Sequence, residues 1–374
     1  MDTHGFRDSA EGSPRSLLAE LAQLTPGMQQ RAPQLDRTAD FPTEDIDLLR
    51  SLGALAAPLP PELGGMGWGT RPEGAAGLMQ ALRLLGQGNL SVGRLYEAHV
   101  NALRLVVRFG TPDQVGASAR DAMDGHLFGL WVTDAPQAPL RLQDNGILCG
   151  SKAPCSGAGY ATQALVTARL PSGGSHMLII RTPGRECADR TGWGTQGMRS
   201  ACNGLVELDG VRPTAIIGAA GDYLCQPDFS AGAWRTSAVT LGGTEALVTE
   251  MRRQLVKRER HGDPHQRERV GKALIAQETA RFWVARAAIF GEAHDGDAKD
   301  IASTVNLARI AVETACLDVL RIAQRALGLA AFRQGELAEL LLRDLATYLR
   351  QPAPDETLAE AAAHFMQRAV PETP

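Results

Sequence analysis

The sequence predicts an α+β fold with an N-terminal α-helical domain (residues 1–125), a middle antiparallel β domain (126–228) and a C-terminal four-helix bundle (229–374). The middle part is rich in glycine and proline, and its apolar residues form short runs bounded by turn residues, a pattern typical of buried strands. The parts on either side have apolar residues at helical spacing, with long intervals between helix breakers. In the last part many of these residues are alanines, whose small side chains allow helices to pack closely in a bundle.

Four apolar runs of the middle domain are predicted to be strands. They cover residues 127–132, 146–150, 164–168 and 177–180. Because ligand sites favour the boundaries between domains, we expect any chemistry where this β domain meets the helices.

Ten helices are predicted on either side of the β domain. Those of the first domain cover residues 16–24, 46–52, 72–85, 90–109 and 112–123. Those of the last domain cover residues 232–260, 267–290, 301–329, 336–348 and 356–366. The pair Gly242-Gly243 weakens the early turns of the helix at 232–260, because glycine is a poor helix former.

The composition excludes several classes of protein. The chain has 374 residues and a formal net charge of −4, so nothing drives it towards nucleic acid or an anionic membrane. No apolar stretch approaches the roughly 20 residues that span a bilayer, and the polar N-terminus lacks the apolar core of a signal peptide. We therefore expect a cytoplasmic protein with no membrane span and no nucleic-acid partner.

The reactive motifs that sequences most often carry are missing. The six cysteines form no Cys-x-x-Cys pair, so reduced thiols are expected and no metal site is predicted. Cys155 is the one thiol singled out, with an inert buried thiol as the favoured interpretation. The sequence also has no Walker loop, no dinucleotide-binding glycine motif after a strand and no nucleophile elbow. No single motif therefore identifies the reaction that the protein catalyses.

Six short sequence segments, taken together in their order along the chain, indicate a protein family more specifically than any one segment alone. They lie at residues 41–67, 131–134, 148–158, 197–211, 241–243 and 343–344. From about Phe41 onwards they resemble the acyl-CoA dehydrogenase superfamily of flavoproteins, and the chain is identified as a divergent member.

The resemblance implies an FAD whose ring system lies between the β domain and the C-terminal helices. By position, Thr133 and Ser156 would contact the ring, although ordinary hydrogen bonding at strand ends also explains both residues. Gln324 and Gly328 are what remains of the loop that holds the adenine half of FAD across a dimer, and Arg260 is the candidate pyrophosphate contact. The resemblance also implies a homodimer or homotetramer and a small-molecule substrate such as an acyl-CoA.

The match fails where the family carries its catalytic carboxylate. Eight residues after Asp344 the chain has Pro352, and the alternative location falls near Gly232, so neither position is an acid. Dehydrogenation at an α carbon needs a base within hydrogen-bond reach. Asp355 and Glu356 are therefore the candidate catalytic residues, displaced from the usual position, although both also suit an ordinary polar loop.

Three functions are compatible with these residues. The first is a flavin oxidoreductase that needs no base, as in the monooxygenase branch of the superfamily. The second is a true dehydrogenase of an acyl thioester that uses a displaced acid. The third is a degenerate, non-catalytic member that acts as an oligomeric binding or interaction protein. Flavin absorbance of the purified protein, and its bleaching by acyl-CoA, distinguish them.

Overall fold

The computed structural model describes residues 14–293 and 296–372, so the polar N-terminus noted in the sequence lies outside it. Five helices form the first helical part: α1 (Pro14–Thr38), α2 (Thr43–Ser51), α3 (Ala75–Gly88), α4 (Leu90–Phe109) and α5 (Pro112–Met123). Both α4 and α5 have the predicted bounds, because each begins at a residue that caps it. The Asn89 side chain accepts from Ser91 N at 2.9 Å, and Thr111 forms a capping box with Gln114.

Helix α1 is much longer than the predicted helix at residues 16–24. It continues through Pro26 and Pro33, each of which removes a helical hydrogen bond. One face of the helix is nevertheless buried along its whole length, and α1 packs against α3. The buried positions are Leu17, Leu21, Thr25, Met28, Ala32 and Asp36. Burial of this face favours the helix over the break that two prolines alone would predict.

The middle part consists of nine short strands in two sheets. They are β1 (Phe128–Trp131), β2 (Arg141–Leu142), β3 (Leu148–Cys149), β4 (Ser151–Cys155), β5 (Gln163–Arg169), β6 (Ser175–Arg181), β7 (Ala188–Asp189), β8 (Gly204–Glu207) and β9 (Ala215–Ile217). One sheet has the order β3-β2-β5-β6-β9 with β1 also on β5, and the other has the order β4-β8-β7.

The predicted antiparallel arrangement holds for most strand pairs, including β5 with β6, but not for the pairs that β5 forms with β1 and β2, which are parallel. The chain between β1 and β5 contains β2, β3 and β4. This long connection allows β1 and β5 to run in the same direction, which a tight hairpin would not. The carboxyl end of β1 consequently meets β4 of the other sheet, where Asp134 bridges to Lys152.

The described residues of the last part form six α-helices, confirming the order of helical, β and helical regions. They are α6 (Asp228–Ala231), α7 (Ala233–Lys257), α8 (Pro264–Glu292), α9 (Ala298–Leu327), α10 (Leu337–Tyr348) and α11 (Pro354–Phe365). Helices α7 to α10 pack around a shared core, with α11 against α9. None of the helices in the described ranges combines the length and apolar character needed to cross a membrane.

The glycines of α7 dock the bundle onto the first helical part. A Cβ on Gly242 would lie 2.0 Å from the Arg83 carbonyl oxygen, and one on Gly86 would lie 2.1 Å from that of Val239. Helices α3 and α7 therefore meet backbone to backbone, which only residues without a side chain permit. Gly242, which weakens α7 as an isolated helix, is required for this contact, and a Cβ on Gly243 would lie 2.7 Å from the Leu90 side chain.

Candidate functional site

A cavity of about 220 Å³ lies where the three parts of the chain meet. Its walls come from α4, the end of β1, the segment of α6 and α7, and the loop after α10. Polar side chains that line it include Arg94, Glu97, Asn101, Tyr223, Thr236 and Gln351. A second cavity of about 60 Å³ shares Ala233, Thr236 and Gln351 with it. The second cavity, which is lined by the C-terminal part alone, therefore adjoins the first at these three residues.

The structure brings the two predicted ring-binding residues, Thr133 and Ser156, to adjacent strand ends. Thr133 O accepts from Ala153 N at 3.1 Å, and Ser156 O accepts from the Trp131 indole nitrogen at 3.0 Å. Within the described residues the exposed Thr133 hydroxyl makes no hydrogen bond. The Ser156 hydroxyl is largely buried and donates to Asn203 Oδ1 at 2.7 Å. Two hydroxyl groups thus lie at the same edge of the β domain.

A buried lysine fixes the chain on both sides of Thr133. Lys152 Nζ donates to Val132 O at 3.0 Å, to Asp134 Oδ1 at 2.6 Å and to Thr167 Oγ1 at 3.0 Å. Burial lowers the pKa of Lys152, and the neighbouring Asp134 opposes that shift. Because its three donors are all used inside the protein, Lys152 acts as a positioning residue for the end of β1.

An arginine of α4 connects this edge to the cavity. Arg94 Nε donates to Ser156 Oγ at 3.3 Å, and Arg94 Nη1 donates to Glu97 Oε2. Glu97 also accepts from Asn101 Nδ2 and, at 3.4 Å, from Thr236 Oγ1. Burial works to lower the pKa of Arg94, but Glu97 outweighs it and the pKa is raised. With three donors bound, the Glu97 carboxylate holds Arg94 in place and is poorly suited to act as a general base.

A network of buried charges lies beside the cavity. Arg104 donates to Asp228 at 2.7 Å and to Glu292 at 2.8 Å. Glu292 also accepts from the Trp234 indole nitrogen at 3.0 Å and from Arg235. Arg104 belongs to α4, whereas its partners Asp228 and Glu292 belong to α6 and α8, and the other donors to Glu292 belong to α7. The network therefore joins the first helical part to the bundle.

Comparison with known proteins agrees with this architecture. Residues 19–124 match the family described as acyl-CoA dehydrogenase, N-terminal domain. The glutaryl-coenzyme A dehydrogenase complex with glutaryl-CoA superposes with a TM-score of 0.79 at 18% identity, covering 99% of this chain and 98% of that one. The chain has the acyl-CoA dehydrogenase-like fold.

Two other relatives carry out oxidations. L-evernosamine nitrososynthase of Micromonospora sp. is 26% identical over 309 residues, which is 77% of this chain and 71% of that protein. TdsC from Paenibacillus sp. A11-2, in complex with FMN and indole, superposes with a TM-score of 0.82 at 17% identity, covering 96% of this chain and 98% of that one. The same TdsC is described as a dibenzothiophene monooxygenase.

The acyl-CoA dehydrogenase-like fold places no predicted acid in the cavity. Near the predicted base position, Gln351 reaches the cavity, whereas Pro352 is exposed and its carbonyl accepts from Arg309. Asp355 and Glu356 lie exposed on the first turn of α11, outside the cavity lining. Their catalytic role stays a prediction, and reaching the cavity would require the start of α11 to move.

Two carboxylates that sequence reasoning missed do line the cavity. They are Glu97, described above, and Asp228, which precedes Gly232 by one helical turn. Asp228 accepts from Arg104 at 2.7 Å and from Arg108 at 3.3 Å. Its position beside Gly232 agrees with the alternative base location that the sequence points to. Both carboxylates are, however, already bound by arginines.

The three residues predicted to hold the outer half of FAD lie apart from the cavity. Arg260 is exposed and pairs with Asp263 at 2.7 Å. Gln324 is exposed at the rim of an open groove of about 810 Å³. Gly328 follows the last residue of α9 with a φ of +60°. The role of these three residues in flavin binding stays a prediction.

Cys155 matches the inert interpretation. It is fully buried, its thiol lies 3.2 Å from Lys152 O, and burial raises its pKa. A thiol with a raised pKa contributes little of the reactive thiolate near neutral pH.

Proposed function

We propose that this chain is a flavin-dependent oxidising enzyme whose reaction does not begin with removal of a proton by a carboxylate. One observation carries the proposal. The cavity has Gln351 near the position where the dehydrogenase base is expected, and its two carboxylates, Glu97 and Asp228, are each bound by at least two donors. The nitrososynthase and monooxygenase relatives support an oxidation of this kind.

The residues at the edge of the β domain fit a flavin ring. The free hydroxyl of Thr133 is a suitable donor to a ring heteroatom, and such donors stabilise the reduced ring. The Ser156 hydroxyl donates to Asn203 and accepts from Arg94, so it can offer the ring its remaining lone pair. Lys152 and Trp131 would hold these two residues in place through the hydrogen bonds described above. When bound, the flavin would supply the electron transfer between substrate and oxidant. The cavity beside Ser156 would hold the substrate.

The sequence resemblance predicts FAD, but we propose FMN as the flavin. The complex of TdsC with FMN supports this choice. The residues predicted to hold the adenine and pyrophosphate half of FAD support it as well. Arg260 is occupied by Asp263, and only Gln324 and Gly328 remain of the adenine loop. Flavin released by heat from the purified protein, separated by chromatography, distinguishes the two cofactors. Release of FAD would mean that the few remaining residues are sufficient to hold its adenine half.

Substitution of the two hydroxyl residues is expected to weaken flavin binding. A neutral hydrogen bond contributes about 0.5–1.5 kcal/mol, so Thr133→Ala and Ser156→Ala should each raise the flavin Kd by roughly twofold to tenfold. Thr133→Ser, which keeps the hydroxyl, is the matched control and should bind like the wild type. The measurement is titration of flavin fluorescence. Equal affinities in all four proteins would mean that the ring does not bind at this edge.

The reaction type is tested by asking whether acyl-CoA alone reduces the bound flavin or whether a separate reductase is needed. Under the proposal, acyl-CoA does not bleach the flavin, and turnover depends on a separate reductase. Bleaching by acyl-CoA that disappears in Asp355→Ala or Glu356→Ala would instead support the displaced-acid dehydrogenase. Purified protein that binds neither FMN nor FAD would support the non-catalytic interpretation.

We also propose that the protein assembles through α8. Apolar side chains recur on its outer face at intervals of seven residues, with Ile275 70%, Phe282 73% and Ile289 43% exposed. Such a row suits an interface more than a free surface. Phe282→Asp should therefore lower the mass in sedimentation from a dimer or tetramer towards a monomer. Lys272→Asp on the same helix is the control, and a monomeric wild type would contradict the proposal.

A further inference from the structure

We propose that the cavity recognises a compact substrate through an anionic oxygen group, which Arg94 Nη2 and the Tyr223 hydroxyl bind. The substrate class intended is a small carboxylate, sulfinate or phosphate rather than a long acyl chain or a fused aromatic ring. The part of this inference that concerns turnover rests on the function proposed above. The binding of the anion does not depend on it.

The first step is the hydrogen bonding of Arg94. Its Nε and Nη1 are occupied by Ser156 and Glu97, which fixes the plane of the guanidinium group. Among the residues that the structure describes, Nη2 has no acceptor, although the side chain is only 28% exposed. A fixed guanidinium with a free donor in a partly enclosed cavity is a strong site for an oxyanion, because charge-assisted hydrogen bonds gain strength away from water.

A second donor faces the same cavity. Tyr223 lines the same cavity, and its hydroxyl has no hydrogen-bond partner in the described part of the chain. Burial raises its pKa, with Arg94 lowering it and Glu97 raising it as the nearby charges. The phenol therefore stays protonated near neutral pH and can donate to an oxyanion beside Arg94.

The other charged side chains of the cavity do not compete for these donors. Glu97 is bound by Arg94, Asn101 and Thr236, and Asp228 is bound by two arginines. With both acids already bound by their partners, Arg94 Nη2 and the Tyr223 hydroxyl are left as unused donors. A ligand that brings its own acceptor oxygens complements it.

The volume of the cavity limits the rest of the ligand. About 220 Å³ is below the roughly 300–1,000 Å³ typical of sites for drug-sized molecules. Leu130, Val132 and Phe229 add apolar wall, enough for a few carbon atoms beside the anionic group. Because Arg94 also touches Ser156, an oxyanion at Nη2 would place that short skeleton next to the proposed flavin edge.

Isothermal titration calorimetry of the purified full chain tests the inference. The probes are sodium methanesulfinate and sodium acetate, and dimethyl sulfone is the uncharged molecule of matching shape. We expect at least one oxyanion to bind tenfold or more tighter than the sulfone. Arg94→Gln should weaken that binding at least tenfold and Tyr223→Phe about threefold, whereas Arg71→Gln, at an exposed arginine paired with Glu62, should leave it unchanged.

The binding measurements can contradict the inference in three ways. Sulfone binding as tight as the oxyanions, no binding of either oxyanion, or unchanged binding in Arg94→Gln would overturn the inference. If circular dichroism shows that Arg94→Gln is unfolded, Arg94→Lys and Tyr223→Phe carry the test, with the same losses expected. Failure of the proposed function would look different: the protein would bind no flavin while retaining Arg94-dependent binding of the oxyanion.

Discussion

Replacing Glu292 by glutamine is expected to lower the free energy of unfolding by about 3–5 kcal/mol, the cost of breaking a buried ion pair on one side. Glu292 is 1% exposed and accepts hydrogen bonds from Arg104, Trp234 and Arg235. The substitution removes the carboxylate that pairs with Arg235 and one of the two that pair with Arg104, and it points amide hydrogens at donors. Because water cannot reach these groups, the penalty is not recovered by solvation.

Urea unfolding at neutral pH measures the effect, with the slope checked for a constant amount of exposed surface. Glu278→Gln is the matched control. Glu278 lies on the same helix and pairs with Arg281, but it is 43% exposed, so its loss should cost less than about 1 kcal/mol. If Glu292→Gln costs no more than this control, the network does not hold α4 against the bundle.

The local features of the fold could be predicted from sequence because their causes are local. Helices α4 and α5 follow from the caps at Asn89 and Thr111, and the strand ends at Thr133 and Ser156 follow from short phrases. Helix α1 could not be predicted in full, since its continuation through two prolines depends on burial against α3. Gly242 likewise allows the close contact between α7 and α3, a role that the sequence of α7 alone does not reveal.

The polar site was missed because its partners are far apart in sequence. Arg104 and Glu292 are separated by 188 residues, and Arg94 and Ser156 by 62. One signal was nevertheless present. Arg94, Glu97 and Arg104 belong to a row of polar residues along one face of a helix that is otherwise apolar and buried. Polar residues at helical spacing in a buried helix indicate either a network or a site, and here they form both.

The second large effect concerns pH and comes from His99, which is fully buried and uncharged. Its Nε2 lies 2.8 Å from Leu55 O, and its Nδ1 accepts from Phe128 N at 3.1 Å. Burial, opposed in part by the hydrogen bond to Leu55, lowers the pKa of His99 from 6.5 to about 4, because the charged imidazolium loses its hydration inside the protein. Between about pH 6.5 and pH 4 the unfolded chain binds a proton that the native chain does not. His99 therefore removes about 3 kcal/mol of stability as the pH falls through this range.

Asp344 acts in the opposite direction. It accepts from Met198 N at 2.6 Å, and burial, reinforced by Asp36 and Glu339, raises its pKa to about 7. From about pH 4 to pH 7 the native chain thus binds a proton that the unfolded chain has lost. The contribution of Asp344 to stability falls by about 4 kcal/mol as the pH rises through this range.

In the wild type the pH dependences that His99 and Asp344 give to the free energy of unfolding largely cancel, and substitution should separate them. Above about pH 4, His99→Gln is expected to lose stability as the pH rises to 7, because only the Asp344 effect remains. Asp344→Asn keeps an oxygen acceptor for Met198 N and should instead gain stability as the pH rises to about 6.5. Urea unfolding of the three proteins at about pH 4, 5, 6 and 7 gives the slopes. Parallel pH profiles would contradict both assignments, since every other titrating group is common to all three chains and drops out of the differences.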